Sequence, residues 1–119
     1  LEVVANGGWS TRGTEPVVLL IPDKEQVYRE YLPAALRTGK STIPPSTLLE
    51  VESGLRTRGV RVVNLLPVYR AEAARGRLIY WTDDTHWNAA GIDLAMAELA
   101  HALGDLFDRA PPAVNTAPP

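Results

Sequence analysis

Three stretches of the chain have the hydrophobic pattern of short β-strands. Residues 17–21 are an unbroken run of β-branched and aliphatic side chains, which is typical of a strand buried on both faces of a parallel sheet. Residues 60–64 have a similar, shorter pattern, and residues 78–81 form a third short, extended segment. Residues 1–4 could add an edge strand. The pattern therefore predicts a sheet of three to four strands.

The segments between the predicted strands have helical spacing. Asp23 is a candidate N-cap with Gln26 three residues later, as in a capping box, and the helix that follows is closed by Pro33. Thr47 and Glu50 have the spacing of a second capping box, which predicts a helix that ends before Gly59.

Two further helices are predicted in the second half of the chain. Pro67 suits the first turn of one, and Asn88 is a good N-cap for the other. The last helix has one apolar stripe, formed by Ile92, Met96, Leu99, Leu103 and Leu106, with Ala95 and Phe107 beside it. The alternation of strands and helices predicts an α/β fold, a small, mostly parallel sheet flanked by helices.

The composition of the chain excludes several classes of protein. The chain has 119 residues, is 45% hydrophobic and 22% charged, and has a formal net charge of −2. This composition excludes a disordered chain, the near-neutral balance argues against nucleic acid as a partner, and the apolar runs are too short to span a membrane. The absence of cysteine excludes disulfides, thiolate zinc sites and cysteine nucleophiles.

Prolines mark the domain organisation. Four of the ten lie in the last nine residues. We therefore expect a structured unit over residues 1–110 and a Pro/Ala-rich disordered tail over residues 111–119.

The most chemically suggestive segment is Asp84-Thr85-His86, which follows a predicted strand and precedes a helix. An aspartate two residues before a histidine can accept a hydrogen bond from Nδ1 and leave Nε2 as a base. A simple helix cap next to an ordinary loop histidine is the alternative. A metal site formed with Asp83 is a weaker hypothesis, because three adjacent ligands rarely surround one ion well. His101 is predicted to face solvent.

Three other residues are candidates for substrate binding. Trp81 and Trp87 flank the acidic loop and could stack on a sugar or line an acyl pocket, although packing over the sheet edge is also expected of tryptophan. Lys24 follows another strand and could face the same cleft, or lie solvated in the first turn of its helix.

No serine stands in the sequence context of a nucleophile. The chain has four serines, and none is preceded and followed by the glycines of a nucleophile elbow. They are Ser10, Ser41, Ser46 and Ser53.

The sequence resembles the SGNH-hydrolase-like domain of the alginate O-acetyltransferase (AlgX and AlgJ) family. The resemblance is carried by two segments, 17–28 and 80–91, together with 59–65 between them. The resemblance covers roughly residues 17–106. It implies a flavodoxin-like α/β fold, an extracytoplasmic or periplasmic location and acetyl transfer to exopolysaccharide hydroxyls by a Ser-His-Asp triad. Asp84 would be the orienting carboxylate and His86 the base. Asn64 stands where many relatives would have Asp.

In that family the Asp-x-His element precedes the serine, which would lie in a later Gly-x-Ser block. We therefore expect this chain to be part of such a domain and inactive alone. The expected partners are a polysaccharide acceptor, an acyl donor and other acetylation proteins, with no cofactor. A non-catalytic polysaccharide-binding module and, less favoured, a metal-dependent hydrolase are the alternatives.

Overall fold

The computed structural model describes residues 13–38 and 44–109, except for the side chains of residues 38 and 105–109. The predicted edge strand 1–4 and the tail 111–119 lie outside these residues. In chain order the elements are β1 (Val17–Leu20), α1 (Lys24–Val27), a 3₁₀ turn (Arg29–Tyr31), α2 (Ala34–Thr38), α3 (Ser46–Thr57), β2 (Arg61–Asn64), α4 (Leu66–Ala74) and α5 (Ala89–Arg109).

The two strands form a small parallel sheet. Val17 pairs with Arg61 and Leu20 with Asn64, and the Leu65 N–H extends the pairing to the Leu20 carbonyl at 3.1 Å. The α/β class and the parallel sheet confirm the prediction. The strand count differs from it, because the described residues contain two strands, and segment 78–81 contributes a single antiparallel bridge between Tyr80 and Trp87.

Helices cover both faces of the sheet. On one face α3 packs against it through a cluster of Leu55, Val60 and Val62. On the other lies the larger core, formed by α1, α4, α5 and the extended segment before the bridge. Its buried members are Val27, Val63, Leu65, Leu66, Tyr69, Ala73, Ile79, Tyr80 and Ala95.

The segment after β1 is broken into short helices. The capping interaction at its start is present, because the Asp23 N–H donates to Oε1 of the buried Gln26 at 2.8 Å. The predicted helix does not continue to Pro33. Tyr28 leaves the helical region after one turn, and Leu32 is extended, which is the conformation favoured before proline.

Two details of the later helices also differ from prediction. Helix α3 begins at Ser46 with Pro45 as its N-cap, so Thr47 lies inside the helix and does not cap it. On α5, Leu99 of the predicted stripe packs against the core, whereas Ile92 and Met96 are 42% and 59% exposed and the small Ala95 is buried. His101 is exposed, as predicted.

Candidate active site

The loop that carries Asp84 and His86 is short and projects from the core. The Trp81 N–H donates to the His86 carbonyl at 3.0 Å, next to the Tyr80–Trp87 bridge. These contacts close the base of the loop, and the intervening residues turn in solvent. Asp84 and His86 are therefore brought together by local backbone geometry.

Asp84 and His86 form a close pair. Nδ1 of His86 lies 2.5 Å from Oδ1 of Asp84, and the His86 backbone N–H donates to the same oxygen at 3.1 Å. The hydrogen bond from the imidazole, followed by that from the backbone, lowers the pKa of the Asp84 carboxyl below its usual value. A carboxylate only accepts, so Nδ1 carries the proton and Nε2 of the neutral ring is left as a base.

The far side of the loop is fixed through Asn88. Its Oδ1 accepts from the Gly91 N–H at 3.0 Å, and its Nδ2 donates to the Leu78 carbonyl at 2.8 Å. The predicted N-cap is therefore confirmed, and the same side chain ties the start of α5 to the strand-like segment that precedes the loop.

Gly91 allows that helix to approach closely. A Cβ at this position would clash with the Ile79 carbonyl oxygen and would lie 3.1 Å from Cβ of Trp87. The Tyr69 hydroxyl donates to the Gly91 carbonyl at 2.5 Å. A glycine early in a long helix, where it disfavours helix formation, is the sequence signal that could have revealed this contact.

Tyrosine hydroxyls position the segment before the loop. The Tyr28 hydroxyl donates to the Arg77 carbonyl at 2.9 Å and accepts from the Ile79 N–H at 3.0 Å. The Tyr80 hydroxyl donates to the Pro22 carbonyl, just after β1. These contacts join residues about fifty positions apart, and no local pattern in the sequence indicates them.

The three predicted binding residues have different surroundings in the structure. Lys24 points its ammonium at carbonyl groups of the loop. Trp81 is 55% exposed, whereas Trp87 is half-buried against the core. Substrate binding by these three residues stays a prediction.

Two hollows lie beside the loop. A hollow of about 210 Å³ next to His86 has largely apolar walls, formed by Ile21, Pro22, Asp23, Tyr80, Thr85, His86 and Trp87. A wider one of about 520 Å³ lies on the side of Asp83 and Asp84 and extends to Tyr28 and Tyr31. Both open at the carboxyl end of β1, the usual location of sites in open α/β sheets.

The structure bears on the predicted metal site and on Asn64. Asp83, Asp84 and His86 do not come together as a three-ligand group, and residues 13–38 and 44–109 hold no such cluster that could bind a metal ion. Asn64 has a structural contact, since its Oδ1 accepts from the Leu66 N–H at 3.0 Å at the start of α4.

Among the described helices, none is long and apolar enough to cross a membrane.

Comparison with known proteins decides the family. The model of the SGNH hydrolase-like domain of the acetyltransferase AlgX matches residues 6–117. The chain belongs to this family. This AlgX-family chain also resembles the solved O-acetyltransferase domain of Pseudomonas putida AlgJ, with 23% identity and a TM-score of 0.68. That match covers 90% of this chain but only 37% of the AlgJ chain. No curated protein gave a significant match.

Proposed function

We propose that this chain supplies the histidine and aspartate of a Ser-His-Asp site that transfers acetyl groups to polysaccharide hydroxyls. The observation that carries the proposal is the 2.5 Å contact between Asp84 Oδ1 and His86 Nδ1, in a chain of the AlgX family. In this role Asp84 fixes the tautomer and stabilises the imidazolium, and His86 Nε2 moves the proton.

The reaction would take place in two steps. A serine hydroxyl attacks the acetyl carbonyl carbon of the donor while His86 Nε2 takes the hydroxyl proton, and the departing donor group then receives that proton. In the second step an acceptor hydroxyl gives its proton to Nε2 and attacks the acetyl-serine. The serine oxygen leaves and regains the proton, so the site returns to its starting state.

The surroundings of His86 are consistent with a small acyl group. The hollow of about 210 Å³ beside the imidazole has walls from Ile21, Pro22 and Trp87, which would exclude water from an acetyl methyl group. The wider hollow near Asp83, with Tyr31 on its rim, offers an aromatic face and polar groups of the kind that bind sugars. We assign the first to the acetyl group and the second to the acceptor.

The serine of the site is proposed to come from outside this chain. Ser46 and Ser53 lie on α3, which packs against the sheet by way of β2, and Ser10 and Ser41 fall outside the described residues. The chain spans little more than a third of the AlgJ chain it resembles. Residues 1–110 would then be one part of a larger SGNH-like domain that acts in the periplasm or at the cell envelope with other acetylation proteins.

A serine-reactive fluorophosphonate tests this assignment. It should label a polypeptide that continues beyond Pro119, and His86→Ala should abolish that labelling because the serine loses its base. His101→Ala, which alters the other histidine of the chain, should leave labelling unchanged. Labelling of a serine within the 119-residue chain would contradict the proposal that the nucleophile lies outside it.

A further inference from the structure

The ammonium group of Lys24 sits at the centre of a ring of carbonyls. Lys24 is the first residue of α1, just past the end of β1, and its Nζ lies 2.5 Å from the Trp81 oxygen, 3.1 Å from that of Thr82 and 3.0 Å from that of Asp84. An ammonium has three N–H donors and no acceptor. Its whole hydrogen-bonding capacity is therefore used by the backbone of one loop.

The loop has few backbone hydrogen bonds of its own. One from the Trp81 N–H to the His86 carbonyl closes the base, and a second, from the Asp84 N–H to the Trp81 carbonyl, is long at 3.5 Å. Carbonyl dipoles that converge on one point repel each other unless a cation lies between them. Lys24 supplies that cation from an element 57 to 60 residues away in sequence.

Packing does little to hold the Asp84–His86 pair. The two side chains are 50% and 76% exposed, so water competes for both partners. The direction of the Asp84 carboxylate must therefore come mainly from the backbone that carries it. The carbonyl of that residue is one of the three that Lys24 binds.

We propose that Lys24 is a positioning residue of the acetyl-transfer site. Its ammonium fixes the loop backbone so that the Asp84 carboxylate meets Nδ1 of His86 and the imidazole keeps its proton on that nitrogen. This inference rests on the proposed function for its catalytic consequence, but its effect on the pair can be measured independently. It differs from the sequence hypothesis that Lys24 contacts substrate.

Lys24→Met tests the proposal with a side chain of similar length that lacks the charge. Nitrogen NMR of the imidazoles should show the His86 proton divided between Nδ1 and Nε2, in place of one tautomer. In the full-length protein kcat for acetyl transfer should fall on the order of 10- to 100-fold, as expected for a displaced catalytic group. KM for the acceptor should change little, whereas loss of a substrate contact would raise it.

Chemical rescue makes the test specific for the ammonium. The 119-residue chain has no cysteine, so Lys24→Cys introduces a single thiol into it, and alkylation with bromoethylamine rebuilds a lysine-like side chain. The Nδ1–H tautomer should return with this reagent and not with bromoethanol, which adds a neutral group of similar size. Lys24→Arg, which keeps the charge on a planar fork, should give an intermediate tautomer population.

Arg70→Met is the matched control. It also removes a cation, which in α4 pairs with Glu30 away from the loop, and should leave the His86 tautomer and kcat unchanged. A Lys24→Met protein with an unchanged tautomer, or with a raised KM and normal kcat, would overturn the inference. If His86→Ala kept full acetyl-transfer activity, the proposed function would fail instead, and the NMR result would still decide whether Lys24 positions the pair.

Discussion

Asp84 shows how one hydrogen bond acts on an exposed group. Its pKa is lowered chiefly by the bond from the His86 side chain. The folded protein therefore keeps this carboxyl ionised at a pH where the unfolded chain would protonate it. The stabilisation it provides is present above the ordinary aspartate pKa and is lost as the pH falls through the lower, folded-state value.

His86→Ala should raise the pKa of Asp84 towards the ordinary aspartate value, because the largest cause of its depression is removed. A carbon NMR titration of the side-chain carboxyl, read through the acid range, measures the change directly. His101→Ala is the control and should not move the Asp84 titration. An unaltered Asp84 pKa in the His86 variant would show that the two side chains do not interact in solution.

The sequence predicts this pair, since it requires only residues two apart on a tight loop. The contacts of Lys24 could not be predicted in the same way. They join the start of α1 to a loop about sixty residues later, and they depend on where the core places segment 77–81. The position of Lys24 after a strand indicates a residue near the site, but that position alone does not distinguish a backbone contact from a substrate contact.

Among the elements, helix α5 buries its small residues most completely, and Leu94 and Leu99 pack partly buried beside them. Gly91 and Ala95 face the core, whereas Ile92 and Met96 lie exposed. The apolar stripe favoured the large side chains, yet the close approach to Ile79 has room only for a residue without a Cβ. Periodicity predicts that a helix forms, but the face it buries here depends on a tertiary contact.

Gly91→Ala should therefore destabilise the protein although alanine favours helix formation. The added methyl group would force α5 away from the Ile79 carbonyl and Trp87, at a cost of about 1–3 kcal/mol in the free energy of unfolding. Gly104→Ala in the same helix is the matched control, since no described atom outside the neighbouring helix backbone lies within 4 Å of its Cβ position. It should stabilise by up to about 1 kcal/mol.

Chemical denaturation of the two glycine variants measures both changes. Equal and small effects at the two positions would mean that α5 does not approach segment 77–81 as closely as the structure places it.

Across the whole molecule, three tyrosines join the parts of the core, two of them fully buried and Tyr28 half-buried. Tyr28 and Tyr69 each pack edge-on against Tyr80, with ring centroids 6.3 Å and 6.0 Å apart. Burial raises the pKa of Tyr69 to about 12 and raises that of Tyr80 further. The fold therefore requires both phenols to remain protonated.

Stability should fall as the pH rises above about 10, where the tyrosines of the unfolded chain begin to ionise, and continue to fall through the folded-state values. Urea denaturation at a series of alkaline pH values measures the slope. Tyr69→Phe should lower stability near neutral pH, because the hydrogen bond from the Tyr69 hydroxyl to the Gly91 carbonyl is lost, but it should also reduce the alkaline slope. A slope unchanged in this variant would contradict the raised pKa.

The alternation of strands and helices predicts the class of the fold, and two of the three apolar runs form strands in the parallel sheet. The strand count differs from the prediction, because segment 78–81 has the composition of a strand but meets only one residue, Trp87, across a bridge. Neighbouring strands, and not composition, decide whether such a segment extends a sheet. Under our proposal the nucleophilic serine lies outside this chain, so its position cannot be predicted from these residues.

The central claim is that His86, oriented by Asp84, is the base of an acetyl-transfer site. The most direct measurement is kcat/KM for acetyl transfer by a polypeptide that also carries the proposed serine, compared with its His86→Ala and His101→Ala variants. We predict a loss of at least about 10³-fold for His86→Ala and no loss for His101→Ala. Equal rates for the wild-type protein and the His86 variant would contradict the claim.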